Sequence, residues 1–299
     1  MFEQAYFQND EAALDHIESI LWPEGPVCPH CGCIGNSTKL AGKTTRPGLY
    51  KCNDCRKPFR VTVGTIFEGS HVPMHKWLQA FYLMCASKKG MSAHQMHRML
   101  GVTYKTACFM EHRIREAMHD DMPTILGGDG QIVEVDETYW GNIPGEEVHR
   151  GYNHKEKIVS LVERQGSVRS FHVERVNAAT LKPMLQEHIA SETRIMTDQA
   201  AYYKGLDKHF AGHETVNHMV KEYARGDVTT NTVEGFFSIM KRGLIGTYHH
   251  VGSQHLSRYL SEFDFRYNTR GTTDMERTVA AVRGITGKRL FYRDSSLAV

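Results

Sequence analysis

Three acidic residues sit in segments that a fold could bring together: Asp136 in QIVEVDETYWG, Asp198 in RIMTDQAAYYKGL and Glu234 in NTVEGFFSIMKRG. Carboxylates delivered by separate elements are hard oxygen donors. They suit Mg²⁺ or Mn²⁺, which keep bound waters and take substrate phosphates as further ligands. Two such ions about 4 Å apart activate an attacking water or hydroxyl and stabilise the leaving oxygen, which is the chemistry of a nuclease. Lys241, further along the segment that bears Glu234, could hold a phosphate. Each acid also has a purely structural use. Asp136 could form a strand-end turn and Asp198 could cap a helix, while Asn231 and Glu234 have the spacing of a capping box.

The elements that must position these groups follow from periodicity. Alternation along 132–137 places Glu134 and Asp136 on one strand face and Val133 and Val135 on the other. Asp198 ends a short apolar strand and precedes a helix, a common place for ligand-binding groups in α/β sheets. At about 100° per residue, a helix over 231–243 gathers Val233, Phe236, Phe237, Met240 and Leu244 into one stripe, with Glu234, Ser238 and Lys241 beside it. Further strands are expected at 157–163 and 168–176, and helices at 179–190 and 254–268. Strands first and helices interleaved later give a mixed α/β domain.

A second constellation lies upstream. Cys28 and Cys31, then Cys52 and Cys55, form two C-x2-C knuckles separated by twenty residues. Four thiolates in two tight turns close a tetrahedron around Zn²⁺, and a filled tetrahedron makes the ion structural. Cys33 is an alternative ligand that breaks the symmetry, and His30 faces solvent. Cys85 and Cys108 lie on apolar helical faces and belong to the core.

Charge divides unevenly along the 299 residues. The net value is +2, yet residues 1–38 carry six acids and no Lys or Arg, whereas residues 39–118 carry fourteen Lys or Arg against four acids. A basic block of that size fits a polyanion such as DNA, or simply a soluble basic surface. Within it, MSAHQMHRMLGVTYKTACFMEHRIREAM reads as helix, glycine turn, helix, with Ser92 and Thr103 as caps. If this is a DNA-binding helix-turn-helix, its second helix turns Tyr104, Lys105 and His112 or Arg113 toward a major groove. An ordinary helical hairpin has the same pattern. The acidic start of the chain does not read as a signal peptide, and its most apolar stretch, 77–86, is about half a bilayer span. Seven cysteines without an export signal point to the reduced cytoplasm.

Taken together, CPHCG, KCNDCRKPF, VEVDETYWG, MTDQAAYYKGL, VNH at 216–218, NTVEGFFSIMKRGLIGTYHHV and FRYNTR resemble bacterial insertion-sequence transposases. Those enzymes carry an N-terminal zinc ribbon, a helix-turn-helix and a DDE-type catalytic domain. The resemblance implies a multidomain α+β chain: an N-terminal helix (1–24), a zinc ribbon (25–66), a helix-turn-helix domain (67–122), a ribonuclease-H-like catalytic domain (123–285) and a tail (286–299). It implies binding to double-stranded DNA, at terminal inverted repeats and at a target. Metal-dependent cleavage would free a 3′-hydroxyl that attacks target DNA. It also implies assembly as a homodimer or larger on DNA, with no membrane, in a bacterial cytoplasm at the nucleoid. By motif, Asp136 and Asp198 become the first two catalytic acids. The third position in such enzymes is Asn or Glu, and both Asn231 and Glu234 are present, with Glu234 favoured by its charge. Lys241 matches the basic residue that follows the third acid, and Arg242 joins it as a DNA contact. A non-catalytic DNA-binding regulator and a structure-specific nuclease remain as alternatives.

Overall fold

The first helix, α1 (Asp10–Leu21), starts where Asn9 accepts hydrogen bonds from the backbone N–H groups of Glu11 and Ala12, and it buries Ala13, Leu14 and Ile17. Three short antiparallel strands follow, β1 (Ser37–Lys39), β2 (Tyr50–Cys52) and β3 (Pro58–Phe59), paired in that order. Tyr50, Phe59 and Trp22 pack edge-on or stacked there, an aromatic core for a segment too short to bury a large one. Helix α2 (Met74–Ala86) buries Trp77, Leu78, Phe81 and Met84. Helix α3 (Ala93–Leu100) is capped by Ser92 and stopped by Gly101 at φ 61°, a left-handed conformation that glycine adopts without penalty. Thr103 then accepts from the Thr106 N–H and starts α4 (Tyr104–Met118).

The second part of the chain is a five-stranded mixed sheet. Its strands are β4 (Ile132–Trp140), β5 (Glu156–Glu163), β6 (Val168–Val173), β7 (Arg194–Asp198) and β8 (Gly212–Val216), in the order β6-β5-β4-β7-β8. The first three pair antiparallel, whereas β4, β7 and β8 run parallel. Between β6 and β7, α5 (Ala178–His188) covers one face, where Val133, Val135, Leu161 and Ile195 meet Leu181, Leu185 and Tyr203. A small hairpin, β9 (Ala224–Arg225) and β10 (Val228–Thr229), leads into α6 (Asn231–Gly243). Together with α7 (Leu256–Asn268), α6 covers the other face, against Ile158, Val162 and Val168. The apolar stripe expected on α6 is this contact. Val233, Phe236, Phe237, Met240 and Leu244 are all buried.

Helix α7 also closes the outer edge of the sheet. Asp264 accepts from the N–H and the hydroxyl of Ser170, both at 2.7 Å. Asn268 accepts from the Val168 N–H and donates back to its carbonyl. The exposed polar groups of an edge strand are thereby taken up by side chains.

The last helix, α8 (Asp274–Arg283), begins with a complete capping box between Thr273 and Glu276. It belongs with the N-terminal elements. Arg277 donates to the Cys85 carbonyl, Thr286 bridges to Thr65, and a Cβ at Gly284 would stand 2.1 Å from the Ala117 carbonyl oxygen. The chain thus divides into Met1–His119 with Thr272–Val299, and Asp120–Gly271. An α/β domain running on to 285 places α8 in the wrong unit. These descriptions rest on a computed structural model and cover residues 2–290 apart from His149, Lys221, Tyr223 and the Met219 side chain. The end of the expected tail, 291–299, lies outside the described residues. Among those described, no helix is long and apolar enough to cross a membrane.

Candidate active site

Strand pairing places the first two acids. Glu134 stands opposite Met196 at the last paired position of the parallel strands β4 and β7. Two residues further on each strand come Asp136 and Asp198, on the face that α6 covers. Asp198 ends β7 and accepts from the Ala200 N–H at 3.0 Å, the turn-forming role that its residue type allows. The helix expected after it is only a 3-10 turn over Ala201–Tyr203, with Gly205 at φ 82° beyond.

Glu134 settles where α6 begins. Fully buried, its carboxylate accepts from the Thr232 N–H at 2.7 Å, the Thr232 hydroxyl at 2.9 Å and the Val233 N–H at 3.1 Å. Arg164 donates to its Oε1 at 2.7 Å and to the Thr229 carbonyl at 3.0 Å. A carboxylate facing the unpaired N–H groups at a helix start is held by them and by the helix dipole. Strand β4 therefore carries Asp136 and, two residues earlier, the group that anchors the helix bearing Glu234.

Asn231 is not the cap. The helix starts one residue earlier, from Thr230, and Asn231 lies exposed in its first turn. Glu234 accepts from the Thr230 hydroxyl at 2.9 Å and lies 3.4 Å from His218 Nε2. It closes no capping box with Asn231. Lys241 is half-buried on the same helix, and Arg242 is exposed with its Nε on the Ser238 carbonyl.

Electrostatics tie the acids together. Burial pushes Asp136 up to about 8, and the negative charges of Glu137, Asp198 and Glu234 add to the effect against the opposing Glu137 N–H. Glu137 is raised as well, first by burial, although hydroxyls of Tyr202 and Tyr203 donate to it. Such a cluster repels itself, and a cation among its oxygens would relieve that repulsion. Among the described residues, the sets of three ligand atoms already within 4.8 Å of one another all contain cysteine.

The cysteine set is closed. Cys28, Cys31, Cys52 and Cys55 gather their Sγ atoms within 4.8 Å of one another, with 3.7 Å between Cys28 and Cys55 and 3.6 Å between Cys31 and Cys52. Four sulfurs about 2.3 Å from a central zinc would stand about 3.8 Å apart, so the arrangement fits the ion. The residues after each knuckle, Gly32 and Arg56, both have positive φ, at 76° and 61°. The Cys52 thiol is lowered to about 7, chiefly by the backbone N–H of Cys55, with that of Asp54 helping. Cys33 falls in a separate set with Cys52 and Asp54.

The helical pair has one residue that sequence misplaced. Tyr104 is 47% exposed and stacks on His94, and Lys105 is exposed. Arg113, expected to face a groove, is 5% exposed and spends its guanidinium on the carbonyls of Ile66, Glu68 and Leu290. Its charge is used to tie loops to α4. Sequence reasoning passed over Arg164 and Glu137 as site groups, and it reached Glu134 and His218 only as a strand position and part of the VNH motif, without their partners. Alternation put Glu134 on the face of Asp136, but nothing local pointed to its partner.

Comparison with known proteins follows the same division. Residues 125–268 match the ISXO2-like transposase domain, and residues 8–58 match a transposase zinc-ribbon domain. The chain belongs to the insertion-sequence transposases with an N-terminal zinc ribbon. It is 28% identical over 277 residues to an uncharacterized protein in transposable element ISH50 of Halobacterium salinarum, covering 87% of this chain and 91% of that one. It is also 28% identical over 96 residues to an uncharacterized transposase-like protein of Haemophilus influenzae, covering 32% and 76%. A solved simian T-cell lymphotropic virus intasome, in complex with a PP2A regulatory subunit, overlaps 56% of this transposase and 63% of the other chain. Its TM-score of 0.30 at 17% identity carries no argument.

Proposed function

We propose that this transposase binds the terminal inverted repeats of its element, hydrolyses DNA there and joins the freed 3′-hydroxyl to target DNA. The catalytic unit is read as ribonuclease-H-like, and the α3–α4 pair as a DNA-binding helix-turn-helix. The observation that carries the reading is the placement of Asp136 and Asp198 at matching positions on adjacent parallel strands, on the face where Glu134 anchors the helix of Glu234. Asp136, Asp198 and Glu234 supply the oxygens for Mg²⁺ or Mn²⁺, and they suit a hard cation. When bound, such ions activate the attacking oxygen and stabilise the leaving one. Glu234 is favoured over Asn231 because its charge reaches Asp136 and because Thr230 and His218 orient its carboxylate. Lys241 and Arg242, in the last turn of α6, hold DNA phosphates. Tyr104 and Lys105 contact DNA from the start of α4, and the four cysteines keep a structural Zn²⁺.

Pairing two element ends calls for at least a dimer on DNA, working in the cytoplasm at the nucleoid. The test is an in vitro reaction with end DNA, target DNA and Mg²⁺. Asp136→Asn should lose cleavage and joining while still binding end DNA. Joining by that variant at the wild-type rate would sink the assignment. Cleavage without joined products would mark a nuclease, and binding without nicking by the wild type a regulator.

A further inference from the structure

The parallel strands that carry the two aspartates stop pairing before they reach them. Between β4 and β7 the last paired residues are Glu134 and Met196. Past that point β4 stays with β5 as far as Trp140, opposite Glu156, and β7 stays with β8 through Asp198, opposite Val216. Asp136 and Asp198 therefore stand on the two arms of a fork, where the ladder no longer sets their separation. Crevices at the carboxyl ends of neighbouring strands are where open α/β sheets bind ligands.

One residue spans the fork. Alternation along β4 turns Glu137 to the face opposite Asp136, the face where α5 packs on Val133 and Val135. There its carboxylate accepts from the hydroxyl of Tyr202 and, at 3.0 Å, from that of Tyr203. Both tyrosines belong to the 3-10 turn Ala201–Tyr203 that follows Asp198. That turn is itself fixed. The Ala200 N–H donates to Asp198 Oδ1 at 3.0 Å, the Tyr203 N–H to the Ala200 carbonyl at 3.1 Å, and Lys182 of α5 to the Lys204 carbonyl at 2.7 Å. Tyr203 is 1% exposed, in the core against α5. On β4 the Glu137 N–H donates to Asp136 Oδ1 at 2.8 Å. Glu137 thus holds the Asp198 arm with its side chain and the Asp136 carboxylate with its backbone.

Buried tyrosine hydroxyls need acceptors, but a neutral amide would serve them. A further carboxylate next to Asp136 adds a repulsion that stability alone does not call for. We propose that Glu137 is a positioning residue: its clasp on Tyr202 and Tyr203 keeps the arms of the fork, and so Asp136 and Asp198, at a fixed separation. The proposal rests on the reading of Asp136 and Asp198 as cleavage acids. Glu137 acts from the far face of the sheet, through the Asp136 carboxylate and the turn after Asp198. Mg²⁺ demands near-ideal octahedral geometry. A fork free to widen loses its hold on such an ion before the chain loses its fold.

The test uses the full chain loaded with Zn²⁺ and bound to end DNA. Mn²⁺ binding is read from loss of the free-ion electron paramagnetic resonance signal, with end DNA alone as the blank. Cleavage is followed across a Mg²⁺ titration. Glu137→Gln, and Tyr202→Phe combined with Tyr203→Phe, should each weaken Mn²⁺ binding by about tenfold or more, the usual effect of losing a group that orients metal ligands. The Mg²⁺ needed for half-maximal cleavage should rise by the same factor, and saturating Mg²⁺ should restore most of the rate. All three substitutions together should do little more than either set, because both break one contact. Mn²⁺ binding as tight as wild type in Glu137→Gln overturns the proposal, even where a lower melting temperature shows that the contact serves stability. So does a loss in Glu137→Gln that the tyrosine variants do not share, which makes Glu137 a ligand itself. If Glu137→Gln fails to fold, Tyr202→Phe alone removes one bond from a half-buried ring, and unchanged Mn²⁺ binding there overturns the clasp. Asp136→Asn separates the two readings. An inactive Asp136→Asn beside an unaffected Glu137→Gln refutes the clasp alone, whereas cutting by Asp136→Asn at the wild-type rate refutes the cleavage site.

Discussion

Glu134 and Thr232 lie 98 residues apart, yet the buried carboxylate of one accepts both the backbone N–H and the hydroxyl of the other. The contact joins the central strand of the sheet to the first turn of α6. Its geometry makes the position of Glu234 depend on a residue that never touches it. Glu134→Ala would leave the Arg164 guanidinium and two helix N–H groups without their partner, and removing one member of a buried ion pair costs about 3–5 kcal/mol. Urea unfolding of the purified chain should register that loss. Glu134→Gln keeps the shape and some of the hydrogen bonds, so it should be milder.

Asn231 and Glu234 separate by the same kind of experiment. Asn231→Ala is an exposed change within a capped helix and should move stability by no more than about 0.5 kcal/mol. It should also leave Mg²⁺-dependent cleavage near the wild-type rate. Glu234→Ala should abolish cleavage. Cleavage rates that fall with Asn231→Ala and survive Glu234→Ala would reverse the assignment.

The zinc site predicts a stoichiometry. One Zn²⁺ per chain should be released by thiol titration, and Cys28→Ser or Cys52→Ser should lose it. Binding free energy is folding free energy in small zinc modules, so the ribbon should unfold with the ion. Cys33→Ser should still hold one Zn²⁺, because its sulfur lies outside the closed set of four.

Salt dependence distinguishes Lys105 from Arg113. If Lys105 meets a phosphate, Lys105→Ala should reduce the slope of log affinity against log salt by about one. Arg113→Ala should instead lower the melting temperature, because three backbone carbonyls lose their donor.

Asp264 gives a pH dependence. Burial raises its carboxyl to about 7, against the lowering effect of its Ser170 bonds and of Arg169. A carboxyl whose folded value exceeds the unfolded one, about 3.9, binds more protons in the folded state. Its contribution is complete below about pH 4 and is lost as pH rises toward 7. Stability should fall there by up to about 1.4 kcal/mol per pH unit, the limit for one proton held only by the folded state. Asp264→Asn should flatten that part of the stability profile, as followed by thermal melting from pH 4 to 8.

Much of this fold is legible locally. Ser92, Gly101 and Thr103 mark the ends of α3 and α4 because caps act within a few residues. The stripe on α6 is legible because a helix must bury one face. Strand β8 escaped notice because GHETV has no apolar run, and only Val216 is buried. The full helix expected after Asp198 is cut short at Gly205. Arg113 looked like a surface cation because sequence records its charge but not the carbonyls that surround it. For the candidate site, the three acids could be named in advance. The clasp of Glu134, the tyrosines on Glu137 and the His218 contact could not, since each depends on a pairing between distant parts of the chain.

Helix α8 has a consequence for the order of synthesis. The unit that starts at the first residue takes its final helix from beyond residue 271, after every strand of the mixed sheet has been made. On the ribosome the sheet can close while the N-terminal unit still waits for Gly284 to seat against Ala117. A nascent chain thus has the strands that bear Asp136 and Asp198 before its N-terminal unit is finished. A product terminated early keeps those carboxylates and loses the helix that completes the N-terminal unit.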